Sequence, residues 1–123
     1  MDQNLIPKKW DIYLVELGQN IGSELNKARP CVVISDNKFN GGNNLLILPI
    51  KTYKGKINDN IHILLEIDDM NNLEEVSYIS IISIRDISKK RFSRKIGKLD
   101  MAILERVDKK LLRILWIKNK PVL

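Results

Sequence analysis

The chain has 123 residues, carries a formal net charge of +6 and is 44% hydrophobic. This length allows one domain with one modest core, and the apolar fraction is ordinary for a folded globular protein. One cysteine, Cys31, and one histidine, His62, exclude an internal disulfide, a Cys/His metal site and a nuclease that uses two histidines as its acid and base. The positive charge favours an anionic partner.

The sequence contains no apolar run of membrane-spanning length and no pattern of a secretory leader. We therefore expect a soluble cytoplasmic protein with no membrane partner, and the lone cysteine is consistent with a reducing compartment. No motif supports an all-carboxylate metal site, so we expect neither a metal nor a cofactor. Any chemistry then falls to Arg, Lys, Glu, Thr, Ser or Tyr side chains.

Most of the predicted elements are short strands, which follow a polar and loose lead-in at residues 1–9. Apolar runs that alternate or are rich in β-branched residues predict these strands, and Gly- and Asn-rich turns separate them. The predicted strands span residues 10–17, 31–35, 45–50, 60–67 and 76–84, with a further short strand inside 85–98. Pro49, near the end of the third strand, predicts an edge or a bulge there.

The last predicted element is a helix over residues 100–118. Asp100 is a good N-cap, and apolar residues recur behind it at helical spacing. These residues are Leu104, Val107, Leu111, Ile114 and Leu115. Short strands followed by one helix predict a mainly β fold, in which a small, strongly bent sheet or barrel is capped by the helix.

Residues 21–35 are the most informative stretch, because a loop passes there directly into an apolar strand. Gly22 and Ser23 favour turns, and Arg29 stands at the rim of the strand with Glu24 five residues upstream. A guanidinium fixed beside a sheet is a good anchor for a phosphate, because it offers several planar donors and stays charged. By themselves these residues favour a simpler interpretation, a surface Arg paired with a loop Glu.

The order of this stretch resembles the signature of the MazF/PemK family of toxin endoribonucleases. Gly-Ser-Glu at 22–24 is followed after four residues by Arg-Pro and an apolar strand that ends in Ser. Residues 84–91 and 97–100 are similar to the family's late segment, and the match is nearly gap-free from residue 10 to about 117. The resemblance implies one toxin domain over residues 1–123, with an SH3-like or CcdB-like barrel of five to seven strands, a C-terminal helix and a homodimeric assembly.

The resemblance also implies an activity and its partners. A family member cleaves single-stranded mRNA at short sequence motifs without metal, and an acidic antitoxin neutralises it. The RNA's own 2′-hydroxyl attacks the adjacent phosphorus, which gives 2′,3′-cyclic phosphate and 5′-hydroxyl ends.

The resemblance assigns catalytic roles to a few residues. Arg29 stands in the family's Arg-Pro pair and would stabilise the charge of the phosphorane. The family's catalytic Thr corresponds to Thr52 on a gap-free count, whereas alignment on the strand proline places Lys51 there; adjacent strand residues point to opposite faces. We assign the hydroxyl role to Thr52 and a phosphate contact to Lys51, which is otherwise a solvated charge. Glu24 either accepts the 2′-hydroxyl proton or, more simply, orients Arg29.

Further residues are candidates for RNA binding. Gly22 and Ser23 offer loop donors, and Tyr53 either stacks on a base or packs within the protein. Ser83, with Ile82 before it, stands where the family often carries Glu-Gln, so we expect altered base contacts there. Arg85 is a candidate for a phosphate or an interface contact.

Two other functions stay open at this point: a barrel that binds nucleic acid without cutting it, and a gyrase-directed toxin of the same architecture. The uneven charge bears on this choice, since residues 66–75 hold five acidic residues and no basic ones. Residues 85–98 hold seven basic residues against Asp86 alone. This basic run either steers RNA, docks the antitoxin or is a solvated face.

Overall fold

The computed structural model describes residues 6–18 and 28–116. Its regular elements are seven strands and one helix: β1 (Asp11–Glu16), β2 (Ala28–Val33), β3 (Asn44–Thr52), β4 (His62–Leu65), β5 (Ser77–Ser80), β6 (Arg85–Ser88), β7 (Phe92–Lys98) and α1 (Met101–Trp116). Short 3₁₀ turns lie at Asn37–Phe39, Ile81–Ser83 and Lys89–Arg91. The predicted fold class, mainly β with a C-terminal helix, is confirmed. No described helix is both long and apolar enough to cross a membrane.

All strand pairs are antiparallel, and the hydrogen-bonded order is β4-β5-β3-β2-β1-β7, with β6 paired to another part of β3. Strand β3 is the centre of this arrangement, because it pairs with β2 along one edge and with β6 and then β5 along the other. The sheet therefore bends into a small, barrel-like shape whose end strands, β4 and β7, are not paired with each other among the described residues.

Pro49 lies where β3 changes partner. Ile47 is the last residue paired with β6, and Ile50 is the first paired with β5. Between them Pro49 pairs only with Cys31 of β2. Proline has no N–H to donate, so it fits a place where one edge of the strand has no partner. The sequence predicted an edge or a bulge at Pro49, and the structure shows a change of partner strand there.

The two faces of the bent sheet bury two separate clusters, because side chains alternate along each strand. One cluster lies under the helix and is formed mainly by Ile12, Val32, Leu48, Ile50, Ile63, Leu65, Ile79, Ile81 and Val107. The other lies on the opposite face and consists of Tyr13, Val15, Cys31, Val33, Leu45, Ile47, Ile87 and Phe92. Strands β1, β2 and β3 therefore each contribute residues to both clusters. The β3 residues that follow the clustered ones lie at the surface.

The helix begins as predicted, since the Asp100 Oδ1 accepts a hydrogen bond from the Ala102 N–H at 2.8 Å. Its apolar stripe packs on the first cluster through Ile103, Leu104, Val107, Leu111 and Ile114. Leu115, which the periodicity placed in that stripe, is instead 68% exposed. The helix is described as far as Trp116, and the predicted end at residue 118 lies outside the described residues.

The described part of the lead-in is anchored, whereas its polar sequence predicted a loose segment. Pro7 is buried. The Lys9 N–H donates to Asn37 Oδ1 at 2.7 Å, and the Lys9 ammonium lies 3.8 Å from the Asp108 carboxylate of the helix. Residues 7–9 thus connect the sheet to the helix.

Candidate active site

Arg29 is the second residue of β2, because the strand begins at Ala28 and not at residue 31 as predicted. It pairs with Val15 of β1 and is exposed. Alternation places Arg29 on the same face as Cys31 and Val33, which are buried in the second cluster. The Arg29 side chain therefore continues this face beyond the buried core and into solvent.

The Cys31 thiol shows which cations share this region. Burial raises the pKa of Cys31 from 9.0 to about 12, although the positive charges of Arg85 and then Arg29 act to lower it. Both guanidiniums therefore lie close enough to act on one buried sulfur. The two arginines come from different strands, β2 and β6, so the fold brings them together from distant parts of the sequence.

Lys51 and Thr52 lie inside β3, which continues beyond the predicted end at Ile50. Lys51 pairs with Tyr78 and Thr52 pairs with Ser77 of β5. By alternation Lys51 shares the face of Pro49, and the β2–β3 register, in which Cys31 pairs with Pro49, brings it beside Arg29 on that face. Thr52 leaves the strand on the opposite face, at the strand's exposed end.

A groove of about 810 Å³ opens on the face that carries Arg29 and Lys51. It is lined by Leu17, Gly18, Arg29, Pro49, Lys51, Thr52, Lys54, Lys56, Glu75, Tyr78, Ser83 and Arg85. Five of the predicted site residues, Arg29, Lys51, Thr52, Ser83 and Arg85, thus meet at one groove. Tyr53 is exposed beside it but does not line it. Gly22, Ser23 and Glu24 lie outside the described residues.

The groove is strongly positive. Five cationic side chains and one carboxylate, Glu75, line it. Within residues 6–18 and 28–116, none of these cations takes part in an ion pair. Cations that face one cleft form a site for an anion that carries several negative charges along its length.

Sequence reasoning missed several groove residues: Lys54, Lys56, Glu75 and Tyr78. The two lysines follow β3 in a polar turn, where the sequence gives no sign that the chain returns to the groove. Glu75 also lines a neighbouring cavity of about 680 Å³, together with Thr52, Arg94 and other residues. Thr52 and Glu75 therefore stand at the boundary between the two cavities.

His62 and Tyr78 form an aromatic pair beside the groove. Their ring centroids are 4.5 Å apart and the rings are tilted by 46°. The His62 Nδ1 accepts a hydrogen bond from the Asn58 N–H at 3.0 Å. Burial, and secondly the charge of Lys51, lower the pKa of His62 from its ordinary 6.5, so the ring favours its neutral form at neutral pH.

The described residues contain no group of three or more His, Cys, Asp or Glu side chains arranged to hold a metal ion. The groove's donors are guanidinium, ammonium and hydroxyl groups, which bind phosphate oxygens and are poor metal ligands. This donor set can position a phosphodiester and stabilise additional negative charge on it.

Comparison with known proteins agrees with this geometry. The family described as PemK-like, MazF-like toxin of type II toxin-antitoxin system matches residues 8–115. The chain is 31% identical over 111 residues to Endoribonuclease EndoA of Bacillus subtilis. The aligned region covers 87% of this chain and 92% of that protein.

The fold is similar to solved structures of low sequence identity. MazF from Deinococcus radiodurans superposes with a TM-score of 0.73 at 16% identity, covering 92% of this chain and 99% of that chain. An endoribonuclease from a mycobacterial species, solved in complex with its cognate antitoxin, gives a TM-score of 0.72 at 17% identity, covering 93% of this chain and 99% of that chain. Because the family pattern covers the sheet, the groove and most of the helix, the chain belongs to the PemK-like, MazF-like toxins of type II toxin–antitoxin systems.

Proposed function

We propose that this toxin endoribonuclease cleaves single-stranded mRNA at short sequence motifs in the cytoplasm, without a metal ion. The observation that carries the proposal is the groove, in which Arg29, Lys51 and Arg85 converge from three strands with the Thr52 hydroxyl at its edge. RNA supplies its own nucleophile, so the protein needs only to align the phosphodiester and stabilise charge.

In the proposed reaction the 2′-oxygen forms a bond to the adjacent phosphorus and the bond to the 5′-oxygen breaks. Arg29 donates hydrogen bonds to the phosphorane oxygens as their negative charge grows. It is not the acid, because a guanidinium stays protonated in proteins. Thr52 donates its hydroxyl to the same phosphate, Lys51 and Arg85 hold neighbouring phosphates, and Glu24 orients Arg29. The 2′-proton leaves to solvent and water protonates the 5′-oxygen, which gives the cyclic phosphate and 5′-hydroxyl ends.

The test is cleavage of a single-stranded RNA in EDTA, followed by analysis of the new ends. We expect cleavage to persist with chelator and Arg29→Ala to reduce kcat/KM by about 10²- to 10³-fold, as for the loss of one donor to a developing oxyanion. Arg113→Ala, which removes an exposed charge from the helix, is the matched control and keeps wild-type activity. Loss of activity on chelation would refute the metal-free mechanism.

The same experiment separates the two other functions. A barrel that only binds nucleic acid leaves RNA intact while retaining it in a binding assay. A gyrase-directed toxin arrests growth even when Arg29 and Thr52 are both replaced, because its action does not depend on an RNA phosphate. We expect the double variant Arg29→Ala/Thr52→Val to abolish both cleavage and growth arrest.

The antitoxin of this system is proposed to be acidic, with a disordered segment that folds into the same positive groove. The excess of cations over carboxylates in the groove supports this. RNA and antitoxin then compete, which a displacement assay with labelled RNA measures. Simultaneous binding of both without mutual weakening would contradict a shared groove.

We further propose a homodimer. The helix and the 3₁₀ turn that contacts it expose large apolar side chains: Ile82 and Leu112 are each 56% exposed and Leu115 is 68% exposed. A second copy that covers them removes this apolar area from water. Sedimentation equilibrium should give twice the chain mass, and Ile82→Asp should shift it toward the monomer.

A further inference from the structure

We infer that the Tyr78 ring, supported by His62, forms a stacking surface for one unpaired RNA base next to the phosphate-binding cations. This inference rests on the proposed function, since it names a second recognition element in the same groove. It assigns base contact to a residue of β5 that the site residues predicted from sequence do not include.

The register of the sheet places Tyr78 in line with the cations. Tyr78 pairs with Lys51 of β3 on one side and with Leu64 of β4 on the other. Its neighbours Ser77 and Ile79 are buried, so alternation turns the half-buried Tyr78 ring toward the groove, which it lines. Arg29, Lys51 and Tyr78 thus lie on three adjacent strands of one face.

The spacing of this row suits a nucleotide. Adjacent strands are about 4.8 Å apart, so the ring lies one strand beyond Lys51 and two beyond Arg29. When cations hold a backbone phosphate at that point, the attached base is within reach of the ring. Proteins that recognise single-stranded RNA commonly combine a basic path with aromatic rings on which splayed bases stack.

The two rings contact each other but do not belong to the core. Neither Tyr78 nor His62 is part of either buried cluster. The His62 ring lies 4.5 Å from Tyr78 and is fixed by the hydrogen bond from the Asn58 N–H. A ring held in place before binding loses little conformational entropy when a base stacks on it. Since His62 favours its neutral form, it also adds no further charge beside the cations.

The first experiment combines variants with abasic RNA. The ligands are copies of one short RNA that carry a 2′-deoxy nucleotide at the cleavage position, to prevent attack, and one abasic nucleotide at each position in turn. Fluorescence anisotropy gives Kd for the wild-type protein, Tyr78→Leu, Tyr78→Phe and the matched control Phe39→Leu. Phe39 is 64% exposed and does not line the groove.

We expect Tyr78→Leu to weaken binding about tenfold, in keeping with the loss of one stacked base. Tyr78→Phe, which keeps the ring, and Phe39→Leu should both bind within about twofold of the wild type. One abasic position should cost the wild type a similar factor and cost Tyr78→Leu nothing. If Tyr78→Leu binds RNA like the wild type, the inference is overturned. It is also overturned if every abasic position raises Kd by the same factor in Tyr78→Leu as in the wild type.

A second experiment needs no variant and so does not depend on how well Tyr78→Leu folds. RNA that carries 5-iodouridine at the sensitive position is irradiated on the wild-type protein, and the cross-linked peptide is identified by mass spectrometry. A cross-link at Tyr78 supports the stacking surface, whereas a cross-link at Tyr53 overturns it. Cleavage of unmodified RNA is measured in parallel. A cross-link at Tyr78 without cleavage would refute only the proposed nuclease activity. Cleavage without a cross-link at Tyr78 would refute only the stacking surface. If the wild-type protein binds no RNA, both the nuclease activity and the stacking surface are refuted.

Discussion

Arg29 was identifiable from the sequence, because the Arg-Pro pair and the strand behind it occur in a recognisable order. Tyr78 was not, because its position depends on the pairing of β5 with β3 and not on any local pattern. Lys54 and Lys56 were missed because nothing in their polar turn indicates that the chain returns to the groove. Residues that local spacing defines could therefore be predicted, whereas residues that only the tertiary fold brings to the groove could not.

Lys51 and Thr52 give the sharpest test at the level of single residues. They are neighbours on β3 with opposite orientations, and only Lys51 shares the face of Arg29. With Thr52 as the hydroxyl donor, Thr52→Val should lower kcat about 10²-fold while KM changes little. Lys51→Met should mainly raise KM, because it removes a phosphate contact that is present before and during the reaction. Steady-state kinetics on one short RNA distinguishes them, and the reverse pattern would assign the catalytic position to Lys51.

Cys31 allows a prediction of alkaline stability. Its pKa is raised from 9.0 to about 12 in the folded protein by burial, so the folded state keeps a proton that the unfolded state loses above pH 9. The stabilisation is complete below pH 9 and is lost as the pH rises toward 12. The free energy of unfolding should fall by up to about 1.4 kcal/mol per pH unit in this range, and less steeply in Cys31→Ala. Urea unfolding between pH 8 and about 10.5 measures both slopes.

At the scale of the elements, the alternation of apolar residues predicted where β1 to β4 lie but not where they end. Strand β3 continues through Lys51 and Thr52, since β5 pairs with residues that are polar and exposed. The region 76–84 was predicted as one strand, but its strand β5 ends at Ser80 and a 3₁₀ turn follows, because β3 takes β5 and β6 as separate partners. Strand ends are set by partners, which a single sequence does not reveal.

Gly97 of β7 holds the 66–73 loop against the sheet. A methyl group at this position would lie 2.2 Å from the Met70 carbonyl oxygen and 2.8 Å from that of Asn71, so the backbone would have to move. We expect Gly97→Ala to lower the free energy of unfolding by about 2 kcal/mol or more. Gly41→Ala is the control, since nothing lies within 4 Å of its added methyl, and it should change stability by less than about 0.5 kcal/mol. Equal melting curves for the two variants would contradict this packing.

At the scale of the whole molecule, the net charge of +6 matters because several of the cations lie at one groove. Cations from β2, β3, the turn after β3 and β6 face one groove. The pattern of short strands followed by one helix predicted the mainly β fold, and the family resemblance supplied the roles of Arg29 and Arg85, whereas composition alone indicated only an anionic partner.

Salt dependence tests whether the groove binds RNA through this charge. Each phosphate contact on single-stranded nucleic acid contributes about −0.7 to the slope of log K against log salt. Lys54→Gln should therefore make the slope shallower by about 0.7, because one counterion fewer is released. Lys109→Gln, on the exposed surface of the helix, should leave the slope unchanged. Anisotropy titrations of a non-cleavable RNA at several salt concentrations give these values, and equal slopes for the two variants would exclude Lys54 from the contact.

The 3₁₀ turn Ile81–Ser83 separates the stretches of chain that pair with the two halves of β3. Arg85 faces the groove, Asp86 accepts a hydrogen bond from Asn44, and Ile87 is buried. Deleting one residue of the turn while the pairing is kept advances β6 by one position, so that a carboxylate replaces the guanidinium and Ser88 enters the core. A one-residue deletion at this turn therefore replaces one cation of the groove with an anion, whereas most point substitutions there leave that charge unchanged.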